Sequence, residues 1–559
     1  MRLGHANVAA ALASAAPSSS KLVLSRQVPA ASGAQRTLFT GAASPQRARL
    51  RVAAHVAARR ALSTPSFPCV DANEARTARL LAQGPSLQPA SASPTAVDSG
   101  PEPMYGAPRG YKTFACEESM SLDYGGELPR FDIAYETWGT LSPAADNAIL
   151  LHTGLSASSH AASTPSHPTP GWWEAFIGPG KPIDTDRYFV ICTNVIGGCY
   201  GSTGPSSPHP LDPAGRPYAS RFPILTLFDM LRAQFRLLDH LGIQRLYASV
   251  GSSMGGMQSV AACHMHPDRV ARVVSISGCA RSAPASIALR YAQRSVLMAD
   301  PNWNRGFYYD EGRLPPHMGM KLARQIATIT YRSGPEWEQR FGRHRRLAAP
   351  RKENKASAGR VSDRSPEDQE QDPALCPDFL IETYLDHQGE SFCLKYDANS
   401  LIYISKAMDL FDMSDFALAD LARRRRAAAV ASAADGSTAG NADQYARETS
   451  CLADEESGQG DEPRMPRRQH IHTLSSPSAH AYLPALARGL KRLSNTPTLI
   501  LGAQTDILFP VEQQRELAEC LRMNGNDRVR YYEIDAPHGH DSFLIDVANV
   551  GGALKGFLD

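Results

Sequence analysis

The sequence predicts an α/β fold built on a mostly parallel sheet. Three observations lead there. Short apolar runs that suit buried strands alternate with segments of helical spacing. One of those runs leads straight into a glycine-flanked serine and then a helical stretch, and two later runs each end beside a residue able to do acid–base chemistry. In such sheets ligands gather at the carboxyl ends of the strands.

The apolar runs are Ala148–His152, 188–193, 246–250, 270–277, 497–501 and 530–534. Between them, 225–241 is the plainest helix: Leu227, Met230, Leu231, Phe235, Leu238 and Leu241 recur at spacings of three and four. The run at 246–250 passes directly into Gly251-Ser252-Ser253-Met254-Gly255-Gly256. Glycines two residues either side of Ser253 let the chain turn sharply and lift the hydroxyl clear of the sheet, the strand–turn–helix context in which G-x-S-x-G presents a nucleophile.

A serine hydroxyl is a weak nucleophile at neutral pH and needs a base held in one tautomer by an acid. When the nucleophile sits on this kind of elbow, the chain order is serine, then acid, then histidine. Asp506, just beyond the run at 497–501, supplies the acid. The segment Asp535-Ala536-Pro537-His538-Gly539-His540-Asp541 follows the run at 530–534 and supplies the base. Spacing leaves both His540 and His538 open for that role.

Composition narrows the remaining classes. The 559 residues include only 42% apolar ones, with 41 prolines and 42 glycines, so part of the chain is expected to lie outside any packed core. A formal net charge of +2 provides no global field for nucleic acid or an anionic membrane, and no apolar run is long enough for a transmembrane helix. The ten cysteines contain no C-x-x-C pair, which suggests neither a zinc cluster nor a thioredoxin-like redox site; free thiols in a reducing compartment are expected.

The packing deficit concentrates in three places. Arg2, Lys21, Arg26, Arg36, Arg47, Arg49, Arg51, Arg59 and Arg60 precede the first acidic residue, Asp71, in an Ala- and Ser-rich stretch. Recurrent arginines without a compact apolar segment read as a mitochondrial transit peptide over 1–65, followed by a disordered linker over 66–104. Two charged stretches of few large apolar residues, about 344–375 and 420–481, read as disordered insertions, the second opening with four arginines at 423–426. What remains is one catalytic core, 105–283 and 486–559, with a helical lid inserted at 284–485.

Several stretches together resemble the homoserine and serine O-acyltransferases of the α/β-hydrolase superfamily: Gly171-Trp172-Trp173-Glu174, Ile183-Asp184-Thr185-Asp186-Arg187, Gly197-Gly198-Cys199-Tyr200-Gly201-Ser202-Thr203-Gly204-Pro205, Ser253-Met254-Gly255-Gly256-Met257, Thr330-Tyr331-Arg332-Ser333 and Arg340-Phe341-Gly342-Arg343. The resemblance covers about 105–343, 376–420 and 483 to the end. It implies Ser253 as the acylated nucleophile, Asp506 as the orienting acid, and His540, in the family's G-H-D motif, as the base. It further implies that Arg324 and Asp541 hold an amino-acid acceptor. A zwitterion needs a cation for its carboxylate and an anion for its ammonium, and arginine grips a carboxylate with two donors.

The loop His152-Thr153-Gly154-Leu155-Ser156-Ala157-Ser158-Ser159-His160 is one residue longer than is usual in the homoserine acetyltransferases and looks like the serine O-succinyltransferase branch. Gly154, Leu155, Ser156 and Ala157 are therefore expected to set acceptor choice, with the backbone N–H groups of Leu155 and Met254 forming the oxyanion hole. Arg290 stands where the acetyltransferases usually carry an uncharged residue, and is expected to read the free carboxylate of a succinyl group. The expected enzyme transfers succinyl from succinyl-CoA to L-serine by a ping-pong route serving cysteine biosynthesis, with no metal or cofactor and as a homodimer by family habit. Homoserine or serine O-acetylation from acetyl-CoA is the nearest alternative, ahead of a simple esterase or an inactive binding protein.

Overall fold

The computed structural model describes residues 110–310, 312–345, 378–434 and 479–559. The expected transit peptide at 1–65, the linker at 66–104 and most of both insertions lie outside the described residues.

Eight strands make the main sheet: β1 (Lys112–Cys116), β2 (Phe131–Trp138), β3 (Ala148–His152), β4 (Phe189–Thr193), β5 (Ala248–Ser252), β6 (Val273–Ile276), β7 (Thr498–Ala503) and β8 (Val529–Ile534). Their spatial order is β1-β2-β4-β3-β5-β6-β7-β8. From β4 to β8 every neighbouring pair is parallel, and β1 and β2 add an antiparallel edge. The central strands β3, β5 and β6 are buried along their whole length, as a sheet covered on both faces requires. All six apolar runs became strands within a few residues of the expected bounds; β1 and β2 were not anticipated.

Helix α1 (Leu227–His240) fills the predicted span. A capping box fixes its start, the Thr226 hydroxyl accepting from the Asp229 N–H while the Asp229 carboxylate accepts from Thr226 N–H. Its apolar stripe packs with α2 (Met254–Met265) on one face of the sheet, where Phe228, Leu231, Met257 and Val260 share a core. The opposite face is closed by Trp173, Phe176 and the C-terminal Phe557 and Leu558.

Between β6 and β7 the chain leaves the sheet to build α3 (Pro284–Met298), α4 (His317–Tyr331), α5 (Gly334–Arg340), α6 (Leu380–Cys393), α7 (Ala398–Asp409), α8 (Asp415–Ala434) and α9 (Ala479–Gly489). This matches the inserted helical lid. Two expected boundaries need correction. His344 and Arg345 are among the described residues, with Arg345 bridging to Phe379, so the folded lid reaches past 344. The second does not begin at 420, because α8 runs unbroken to Ala434 and α9 resumes at Ala479.

The arginine run inside α8 explains the second correction. Arg425 is buried and makes a two-pronged contact with Asp123, at 2.8 and 2.9 Å. Asp123 in turn accepts from the Thr226 hydroxyl and faces Arg232, which pairs with Asp229. Four buried charges thus tie the lid helix to the head of α1.

Candidate active site

The site begins with a strained turn. Ser253 stands between β5 and α2 with φ +59° and ψ −125°, a region that a residue with a Cβ occupies only when its surroundings force it. The surroundings are three glycines. A Cβ on Gly251 would sit 2.1 Å from the Gly255 carbonyl oxygen; on Gly255, 2.3 Å from that of His152; on Gly256, 2.9 Å from the Ser275 hydroxyl. The turn can be this tight because those positions carry no side chain. Met254 is the first residue of α2, so its N–H has no acceptor within the helix.

His540 Nε2 lies 2.8 Å from Ser253 Oγ, and His540 Nδ1 lies 2.6 Å from an Asp506 carboxylate oxygen. All three side chains are buried. The other Asp506 oxygen accepts the backbone N–H groups of Leu508 and Phe509, which hold the carboxylate toward the imidazole. Phe509 stacks on the imidazole at 5.0 Å between ring centres and Phe543 meets it edge-on. Of the two histidines that spacing left open, His540 makes the serine contact; a buried ring nitrogen of His538 has no hydrogen-bond partner.

Ser253 and His540 open into a cavity of about 400 Å³. The loop after β3 contributes Gly154, Leu155, Ser156 and Ala157 to its wall, and the lid contributes Arg290 and Arg324; Asp541 completes the expected set. Arg324 lies between aromatic rings, its guanidinium carbon 4.5 Å from the centre of Phe392 and 5.0 Å from that of Tyr331, and its buried Nε has no hydrogen-bond partner. Asp541 is raised above the usual carboxylate range by burial, which the neighbouring Arg332, His540 and Arg324 only partly offset. A guanidinium and a carboxyl group therefore face one cavity beside the serine.

Arg290 reaches the cavity wall already paired. Its Nε donates to Asp409 at 2.6 Å and its Nη2 to the Ser282 hydroxyl at 2.9 Å, and Asp409 also binds Arg294. Its Nη1 is buried without a partner. Two guanidinium groups on one carboxylate leave a net positive charge at the cavity wall.

The reading from sequence gave no role to Arg332, Tyr384 or Phe392, which also line the cavity. Arg332 lay in a motif that could have flagged it; the two aromatic residues on α6 carry no local signal.

A hydrogen-bonded cluster supports the loop after β3. His160 Nδ1 meets Glu136 at 2.8 Å and its Nε2 donates to the Thr169 carbonyl at 2.7 Å, while the Trp172 indole donates to the Ser158 carbonyl. Glu136, His160 and His167 come within metal-ligating distance of one another. Both nitrogens of His160 are already engaged, so the group serves as an anchor.

Comparison with known proteins gives the family. A family model described as alpha/beta hydrolase fold matches residues 147–365. The chain is 55% identical over 499 residues to serine O-succinyltransferase of Emericella nidulans, covering 88% of this chain and 87% of that protein. It is 52% identical over 512 residues to serine O-succinyltransferase of Schizosaccharomyces pombe, covering 88% and 94%. The crystal structure of homoserine O-acetyltransferase from Bacillus anthracis superposes with a TM-score of 0.58 at 23% identity, over 80% of this chain and 97% of that one, a likeness of fold. Identity above half across most of the length, joined to a serine–histidine–aspartate chain at the carboxyl edge of a parallel sheet, makes this chain a member of the serine and homoserine O-acyltransferase family of α/β hydrolases, and an acyltransferase.

Proposed function

We propose that the enzyme moves a succinyl group from succinyl-CoA to the hydroxyl of L-serine. The observation that carries this reading is the cavity itself. A hydrogen-bonded serine shares it with an uncommitted arginine and a carboxylate, the charge pair a zwitterionic acceptor requires. The names of the fungal relatives support the same substrates.

In the first half-reaction His540 accepts the Ser253 proton as the oxygen attacks the thioester carbonyl. Asp506 keeps Nδ1 protonated and stabilises the imidazolium that forms. The backbone N–H groups of Leu155 and Met254 bind the tetrahedral oxyanion, which collapses with departure of CoA, protonated by His540. L-serine then enters with its carboxylate on Arg324 and its ammonium on Asp541. His540 removes the proton from its hydroxyl, that oxygen attacks the acyl-enzyme, and O-succinylserine leaves as Ser253 recovers its proton. The product carries an activated ester, suited to replacement by sulfide on the way to cysteine.

Arg290 selects the donor. Its unpartnered Nη1 suits a succinyl carboxylate and has nothing to meet on an acetyl group. The basic leader directs the enzyme to mitochondria, a reading that a fluorescent fusion with and without residues 1–65 checks. Activity is tested with purified protein offered L-serine and L-homoserine in turn, each with succinyl-CoA and acetyl-CoA. The expected result is fastest CoA release with L-serine and succinyl-CoA. Preference for L-homoserine and acetyl-CoA would replace this reading with homoserine acetylation, and equal release without any amino acid would make the enzyme a thioesterase.

A further inference from the structure

Arg332 follows the last residue of α4 and points its guanidinium into the cavity, where its Nη2 lies 3.1 Å from Asp541 Oδ2. A second donor of the same guanidinium, Nη1, binds Glu336 on α5, and Glu336 also meets Arg340 at 3.3 Å. The segment around Arg332 is clamped to the loop that carries His540 and Asp541. The Ser333 hydroxyl donates to the Pro537 carbonyl, and a Cβ on Gly539 would lie 2.9 Å from the Tyr331 carbonyl oxygen. Gly539 takes φ +62°, which suits glycine. The end of α4 and the catalytic loop are therefore packed directly on one another.

From this juxtaposition we propose that Arg332 is the positioning residue for Asp541, fixing one carboxylate oxygen so that the other faces the ammonium of the acceptor. The inference rests on the reading of Arg324 and Asp541 as the acceptor site. A buried carboxyl group with no partner is driven toward its neutral form, and a neutral acid cannot hold an ammonium ion. Four titratable or charged groups face Asp541: Arg332 at the end of α4, Arg324 within α4, Glu336 on α5 and His540 on its own loop. Of the opposing charges Arg332 acts most strongly, whereas Glu336 works in the other direction. Arg332 thus does two things with one contact: it opposes the protonation that burial favours, and it aims the carboxylate.

The test compares L-serine with 3-hydroxypropionate, which keeps the hydroxyl and the carboxylate but lacks the ammonium. With succinyl-CoA as donor, Arg332→Gln should lower kcat/KM for L-serine about tenfold at pH 7, the scale of one charge-assisted hydrogen bond lost when the carboxylate is no longer aimed. The value for 3-hydroxypropionate should change by less than about threefold, since no ammonium is lost. Without Arg332 the Asp541 carboxyl shifts upward, so the L-serine deficit should shrink as pH rises from 6.5 to 8.5. Arg332→Lys, which restores a charge without the planar fork, should recover part of the loss. Equal losses on both acceptors, or a deficit that ignores pH, would overturn the proposal. Asp541→Asn separates the two levels: if it leaves the preference for L-serine intact, the acceptor reading itself fails, whereas an effect there with none in Arg332→Gln removes only the role of Arg332.

Discussion

His540 and Ser253 are 287 residues apart in the chain, and their side chains meet at 2.8 Å. Because His540 is already held by Asp506 at 2.6 Å, the imidazole presents its basic nitrogen to the hydroxyl before any substrate arrives. Loss of the nucleophile or of the base should therefore cost nearly the whole rate. Ser253→Ala and His540→Ala are each expected to reduce kcat by about 10⁴-fold or more, and Asp506→Asn by about 10⁴-fold through the wrong tautomer, as in other enzymes with this triad. A serine-directed phosphonate gives an independent readout. It should label the native protein once, label His540→Ala slowly and leave Ser253→Ala unmodified; labelling of Ser253→Ala would remove the serine from its assigned role.

What could be read from the sequence follows from where each signal lies. Ala148–His152 is buried along its whole length and appears in the chain as an uninterrupted apolar run ending in a histidine, so its strand was visible. Lys112–Cys116 is an edge strand with three of five residues exposed, and it pairs antiparallel with Phe131–Trp138; neither gives the apolar run that marks a central strand. The elbow at Ser253 was visible because its glycines lie within six residues of one another. Arg425 was misjudged for the opposite reason: its partner Asp123 is 302 residues away, and nothing local distinguishes it from the exposed arginines beside it. Arg332 and Asp541 each lie in a motif, but their contact with one another spans 209 residues and carries no local signal.

Arg290 makes a quantitative claim on donor choice. One charge-assisted hydrogen bond contributes about 1.5–3 kcal/mol, so Arg290→Leu should lower kcat/KM for succinyl-CoA by roughly 10- to 100-fold. The value for acetyl-CoA should stay within about threefold, because no donor carboxylate is lost. Asp409 would still be paired with Arg294, so the substitution does not strand a buried carboxylate. An unchanged ratio of the two donors in Arg290→Leu would assign donor choice elsewhere.

The Arg425–Asp123 contact predicts a stability difference within a single run of arginines. Arg425→Leu removes the two-pronged partner of the buried Asp123 carboxylate and should cost about 3–5 kcal/mol, the scale on which a broken buried pair is felt. Arg424→Leu removes an exposed pair with Asp420 and should cost less than about 1 kcal/mol. Burial alone would raise the Asp123 carboxyl, but Arg425, with Arg232, overrides it and holds the group well below the usual carboxylate range. A depressed folded value means that this contribution is present above the ordinary carboxylate range, and is lost as pH falls below it toward the folded value. Urea unfolding of both variants at neutral pH and in mild acid checks the claim; equal midpoints for Arg424→Leu and Arg425→Leu would contradict it. The double variant Asp123→Asn with Arg425→Leu should be less destabilised than the sum of the single changes.

The tight approach of Gly255 to His152 sets the last expectation. A methyl group at position 255 would have to displace the His152 carbonyl, which belongs to β3 and cannot swing aside as a side chain could. The neighbouring loop carries Leu155, and the neighbouring turn carries Ser253 and Met254, so any relief of the clash should shift the proposed oxyanion donors. Gly255→Ala should therefore lose activity out of proportion to stability: about 1–3 kcal/mol from overpacking, against a fall in kcat of about 10²-fold from sub-ångström misplacement of the reacting groups. Gly552→Ala is the matched control. It begins the C-terminal helix with an ordinary helical φ and has open space where the Cβ would go, so it should be neutral or stabilising by up to about 1 kcal/mol. Thermal unfolding read beside initial rates separates the two effects. If Gly255→Ala kept full activity at a lowered melting temperature, the elbow would have more freedom than its close contacts allow, and the oxyanion donors would have to lie elsewhere in the cavity.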